Sequence, residues 1–211
     1  MRFELAGKTA LITGAGRGIG RALTGQLVDA GVARIIAVGR YEEALQALAA
    51  EHPGKIVPVA CDLSDSGAVA ELVAEASRIA PDLSLLFNNA GIQRLTDFTT
   101  ESLASVWPDL QREIAVNLAA PIALATGLLP LLRSQRQSAI VNVTTGLVLA
   151  PKMSAPVYCA TKAGLSSFTR SLRYQCEATA PNVRVIEALP PMVDTDMTRS
   201  RGRGKINADD C

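Results

Sequence analysis

The sequence predicts a three-layer α/β sandwich, with a mainly parallel, doubly wound sheet between two layers of helices. Short β-rich apolar runs alternate with alanine-rich segments of helical period, the signature of a parallel sheet joined by crossover helices. The runs lack the apolar/polar alternation of a half-exposed sheet, so both sheet faces are expected to be covered. No internal repeat breaks the pattern, and 211 residues can bury one sizeable core.

The elements follow in order. TALIT (9–13) is the first strand, and the glycine-rich stretch TGAGRGIG (13–20) turns it into a helix over 18–30. RIIAV (34–38) is the second strand, with a helix over 41–51, and KIVPVA (55–60) is the third. Ser64 and Asp65 then supply capping side chains for a helix over 65–79. LSLLF (83–87), AIVNVT (139–144) and VRVIEAL (183–189) complete six strands, separated by helices over 102–133 and 157–179. This is a Rossmann-type arrangement in a single domain over 1–199. Residues 200–211 turn polar, Gly-rich and charged and are expected to be a mobile tail.

Composition narrows the function. Lys plus Arg number 21 against 20 Asp plus Glu, a net charge of +1, which gives no global reason to expect nucleic acid or an anionic membrane surface. The basic stretch RSRGRGK (199–205) is the one place where a nucleic-acid or partner-binding role is an alternative to a solvated tail. The four cysteines form no CxxC pair and no zinc pattern, so no metal is expected and the thiols are read as reduced, in a cytoplasmic protein. The start of the chain shows no secretory signal. The charge-free run AVNLAAPIALATGLLPLL (115–132) is almost long enough to span a bilayer, but Asn117, Thr126, Gly127 and two prolines interrupt it, and a core helix is the expectation.

Several motifs carry chemistry. Gly14, Gly18 and Gly20, with Ile19 between the last two, stand where a tight turn brings backbone N–H groups to a pyrophosphate at a helix N-terminus. After the second strand, an NAD-selective protein usually offers a carboxylate to the adenosine ribose. This chain offers Gly39 and Arg40, with Arg17 as a second cation in the glycine loop, and guanidinium forks suit a 2′-phosphate, so NADP is favoured over NAD. Asp62, after the third strand, is from local chemistry a turn carboxylate or a cofactor contact.

Tyr158 and Lys162 in YCATK stand four apart on a helix and can point into one cleft. A free tyrosine has a pKa of about 10. A neighbouring ammonium lowers it, so the pair can exchange a proton without histidine.

The GxxxGxG spacing of the glycine loop, NNAG (88–91) and YxxxK resemble the short-chain dehydrogenase/reductase family, in that order and over residues 8 to about 196. The resemblance implies that Asp62 holds the adenine and that Asn89, Ala90 and Gly91 line the cofactor. Asn117 matches the family's helix asparagine, which holds a water linking the lysine to solvent. Thr145 stands where the family has a serine that bonds the substrate oxygen, and Thr144 is expected to face away. In PPMVDT (190–195), Pro191 replaces a glycine, while Val193 and Thr195 match positions at the nicotinamide end. Family members run on through a further helix and strand, so a shortened chain and a minimal protein are both open, and the sixth strand is expected as an exposed edge.

The resulting expectation is an NADP-dependent oxidoreductase that interconverts a ketone or aldehyde with an alcohol. Leu147, Val148, Leu149, Met153 and Met192 suggest an apolar small-molecule substrate. The alternative is a catalytically silent NADPH-binding or sensing protein. The two long helices resemble the pair through which family members associate, so a homodimer or homotetramer is expected.

Overall fold

The computed structural model describes residues 3–198 and 204–211. Six strands form one sheet, β1 (Thr9–Thr13), β2 (Arg34–Gly39), β3 (Ile56–Ala60), β4 (Leu83–Asn88), β5 (Ser138–Val143) and β6 (Val183–Ala188), in the order β3-β2-β1-β4-β5-β6. All five pairings are parallel. The direction of winding reverses at β1, whose two neighbours are β2 and β4, and a crevice opens there at the carboxyl ends of the strands. Pro58 lies in the edge strand β3, where a missing N–H costs the sheet least.

Helices α1 (Gly18–Asp29) and α2 (Glu42–Glu51) cover one face, and alternate strand residues such as Ile12, Ile35 and Phe87 point to them. Helices α3 (Ser66–Ile79), α5 (Ala120–Ser134) and α6 (Pro156–Thr179) cover the other, over Leu11, Ile36, Leu86 and Ile140. Asp65 caps α3 by accepting from Gly67 N and Ala68 N at 2.8 and 3.3 Å. Ser102 caps α4 (Leu103–Ile114) in the same way, from Ser105 N at 3.3 Å.

Coverage of both faces holds for β1, β2 and β4 and fails at the far edge. On the α1 side of β5 and β6, Val141 is only partly buried and Ile186 is 43% exposed, because none of the described residues packs a helix there. The long apolar run is a core helix. Leu124, Leu128 and Leu132 of α5 are fully buried, and a Cβ on Gly127 would stand 2.7 Å from Val73 of α3, which shows how closely the two helices approach. Between α4 and α5, residues 115–119 wind as a π-turn with Asn117 inside it. Such an i→i+5 turn often marks a functional position.

Of the basic stretch 199–205, residues 199–203 lie outside the described residues. Residues 204–211 return to the body of the domain. Ile206 bridges Val193, Lys205 pairs with Asp194 at 3.1 Å, and Gln26 of α1 donates to Asp209 O at 2.8 Å.

Candidate active site

A cleft of about 900 Å³ occupies the crevice at the carboxyl ends of the strands. Its floor begins at the glycine loop between β1 and α1. Gly14 and Gly18 take φ of +71° and +53°, a region that L side chains rarely adopt. Gly20 is required for space: a Cβ there would lie 2.1 Å from Gly14 O. Among the described residues no side chain caps α1, which leaves its first N–H groups without a side-chain acceptor beside the cleft. Gly14, Gly18, Ile19 and Gly20 all line it.

The loop after β4 is fastened to this floor by a residue that sequence reasoning missed. Thr13 Oγ1 accepts from Asn89 N and Ala90 N, both at 3.0 Å, and Asn89 Nδ2 donates to Thr13 O at 2.9 Å. The threonine preceding the glycine loop was visible in the sequence, but its partner lies 76 residues away in the chain and only the fold brings it there. Asn89, Ala90 and Gly91 thereby line the cleft.

Arg17 and Arg40 stand together at one end, with Tyr41 between them. The Arg40 guanidinium lies 4.7 Å and that of Arg17 6.0 Å from the centre of the Tyr41 ring. Arg17 also lies 4.0 Å from Asp196, on the segment after β6. Asp62 sits beside them with both carboxylate oxygens engaged: Oδ1 accepts from Ser64 N and Ser64 Oγ, and Oδ2 accepts from Arg112 Nη2 at 3.0 Å. The Ser64 bonds, and then the Arg112 and Arg40 charges, hold its carboxyl below the usual range against the opposing effect of burial. Asp62 is thus a turn carboxylate, and it is one of the residues lining the cleft. Arg112, contributed by α4, had no sequence signal.

At the other end, α6 presents Tyr158 and Lys162 to the cleft one turn apart. Lys162 is 3% exposed, and its Nζ donates to Val143 O at 2.8 Å, tying the helix to the end of β5. Burial pulls its ammonium down to about 8. Asn117 does not line the cleft. It is fully buried behind it, where Oδ1 accepts from Ile92 N at 2.9 Å and Nδ2 donates to Ile92 O at 2.8 Å and to Thr161 Oγ1 at 3.2 Å. A Cβ on Gly91 would lie 3.5 Å from both Asn117 Oδ1 and Lys162 Nζ, so the glycine is the common neighbour of the two.

Thr145 lines the cleft and caps a short turn over 146–148, its Oγ1 accepting from Leu147 N at 3.3 Å. Thr144 donates from Oγ1 to Glu187 at 2.7 Å on β6, but, against the expectation that it faces away, it lines the cleft beside Thr145. Val193 and Thr195 close the cleft from the segment after β6, with Pro191 and Met192 beside them. Of the apolar loop residues, Leu147 and Met192 reach the cleft, whereas Leu149 and Met153 are 84% and 94% exposed.

Comparison with known proteins agrees with this geometry. The short chain dehydrogenase family model matches residues 8–205. DltE of Bacillus subtilis, described as an uncharacterized oxidoreductase, is 39% identical over 197 residues, covering 93% of this chain and 76% of that protein. A fatty acyl-CoA reductase of Mycobacterium tuberculosis is 35% identical over 202 residues, covering 92% of this chain and 66% of that one. A crystal structure of a short chain dehydrogenase from Burkholderia cenocepacia in complex with NADP superimposes with a TM-score of 0.84 at 29% identity, covering 98% of this chain and 81% of that one. With its all-parallel six-stranded sheet, its glycine loop at the strand crossover and a family match over nearly its whole length, the chain belongs to the short-chain dehydrogenase/reductase family of oxidoreductases.

Proposed function

We propose that the chain is an NADP-dependent oxidoreductase that interconverts a ketone or aldehyde with an alcohol. The observation that carries this reading is that Tyr158 and Lys162 open onto the same cleft as the glycine loop, at its opposite end from Arg17 and Arg40. The cleft fits a dinucleotide phosphate: the uncapped N-terminus of α1 offers backbone N–H donors, and glycines stand where side chains would fill the approach. Gly14, Gly18, Ile19 and Gly20 would hold the pyrophosphate and Arg17 and Arg40 a 2′-phosphate. Asp62 would face the adenine, and Asn89, Ala90, Gly91, Val193 and Thr195 the nicotinamide half.

The cofactor, when bound, supplies the hydride that goes to the carbonyl carbon. Tyr158 gives its hydroxyl proton to the carbonyl oxygen and is reprotonated from solvent; in the alcohol direction it takes that proton. Lys162, still mostly an ammonium at pH 7 with a value of about 8, favours the phenolate. Thr145 orients the substrate oxygen through its hydroxyl. Asn117 and Lys162 connect the tyrosine to solvent. Leu147 and Met192 give the substrate end an apolar wall. The exposed Leu103, Trp107, Ile114 and Tyr174 on α4 and α6 suit self-association of the long helices.

NADPH oxidation over a panel of small and apolar carbonyl compounds, beside NADPH and NADH binding titrations, tests this reading. Turnover with tighter NADPH binding is expected. NADPH binding without turnover of any carbonyl would favour a sensing protein instead.

A further inference from the structure

Two side chains one turn apart on the α4 and π-turn face grip the wall of the cleft, and the chemistry above uses only one of them. Asn117 holds Ile92 through both its amide groups, at 2.9 and 2.8 Å. Four residues earlier, on the same helical face, Glu113 accepts from Arg94 N at 3.1 Å. Glu113 is only 2% exposed, and burial pushes its carboxyl up against the opposing pull of the Arg94 N–H. The Arg94 guanidinium turns elsewhere, to Glu101 at 2.6 Å, Asp109 at 3.0 Å and Ser105 O at 3.1 Å. A buried acid whose hydrogen-bond partner among the described residues is one backbone N–H is a costly way to fill space.

The segment that Glu113 holds explains its position. Gly91, Ile92 and Gln93 line the cleft, and the glycine faces Lys162 Nζ, with a Cβ distance of 3.5 Å. One end of the segment therefore rests against the buried amine, and the other is fixed by Glu113.

We propose that Glu113 is a positioning residue for the reaction: its buried carboxyl fixes Arg94 and, with Asn117, holds segment 91–94 as the wall against Lys162. The proposal rests on the oxidoreductase reading of the cleft. Glu113 lies outside the residues that line the cleft, so it acts through the backbone it holds. Reach, and not charge, is the property that matters.

Two variants of the full chain separate reach from charge. Glu113→Gln removes the charge and keeps an acceptor at the same distance; Glu113→Asp keeps the charge and withdraws it by one methylene. The readouts are kcat and KM for a reduced carbonyl, NADPH affinity, and the NMR titration of the Lys162 side chain. Glu113→Asp is expected to lower kcat about tenfold or more, the scale of a sub-ångström misplacement, with NADPH affinity unchanged. Lys162 in that variant titrates higher, toward the ordinary value, as water reaches it. Glu113→Gln restores both properties to near wild type. Equal damage in the two variants, or an unmoved Lys162 titration in Glu113→Asp, overturns the proposal. A Lys162 shift in a protein that reduces no carbonyl would show that Glu113 holds the wall against Lys162 but would overturn the oxidoreductase reading, and with it the role in a reaction.

Discussion

Lys162 Nζ donates to Val143 O at 2.8 Å, so the amine of α6 is anchored on the last residue of β5, and among the described residues no carboxylate offsets its burial. Burial alone pulls this group down to about 8. The folded-state value thus lies below the ordinary lysine value of about 10.4, and the unfolded chain binds the extra proton between the two.

The sign of the pH dependence follows. Stability contributed by Lys162 rises with pH from about 8 to about 10, because proton release relieves the buried ammonium. Denaturant unfolding of wild type against Lys162→Met is expected to show wild type gaining roughly 2–3 kcal/mol over that window relative to the variant. A difference that stays flat with pH would contradict the burial of the charge.

Gly20 and Gly25 lie on the same helix and predict opposite outcomes. A Cβ on Gly20 would meet Gly14 O at 2.1 Å and Asn89 Nδ2 at 2.6 Å, so Gly20→Ala must displace the glycine loop and is expected to abolish NADPH binding. At Gly25 a Cβ would meet nothing within 4 Å among the described residues, and Gly25→Ala is expected to stabilise the protein by about 0.5–1 kcal/mol. Calorimetric binding and thermal unfolding check the pair.

Thr13 supplies the one oxygen to which both Asn89 N and Ala90 N donate. Thr13→Val keeps the shape and removes the acceptor, at an expected cost of about 1–3 kcal/mol in chemical denaturation. Thr13→Ser recovers most of that stability if the hydroxyl is the cause.

Arg40 decides between cofactors in this account. Arg40→Ala is expected to weaken NADPH binding about tenfold or more, the loss of a charge-assisted contact, and to leave NADH binding unchanged. Equal loss for both cofactors would place Arg40 in a general structural role.

Most of the fold was legible because it depends on local patterns. The six apolar runs are the six strands, each within a residue or so of its boundary, and Asp65 caps α3 as its type and place suggest. The strand order is that of the doubly wound arrangement which the alternation of strands and helices predicted. The missing cover over Ile186 was not legible, because strand composition reports what a face prefers and not what packs on it. The π-turn at 115–119 was hidden for a related reason: its extra residue accompanies the hold of Asn117 on Ile92, 25 positions away. Within the site, the short motifs pointed to residues that line one cleft, apart from Asn117, which is buried behind it. Thr13, Tyr41 and Arg112 were missed because each acts through a neighbour that the fold delivers.

The central claim is that Tyr158 exchanges the proton of a carbonyl reduction. The most direct measurement is kcat for NADPH-dependent reduction in wild type and Tyr158→Phe, with NADPH affinity determined for both. The account predicts a fall of about 10²–10⁴-fold in kcat with affinity for the cofactor retained. A Tyr158→Phe protein that reduces the same carbonyl at the wild-type rate would contradict it.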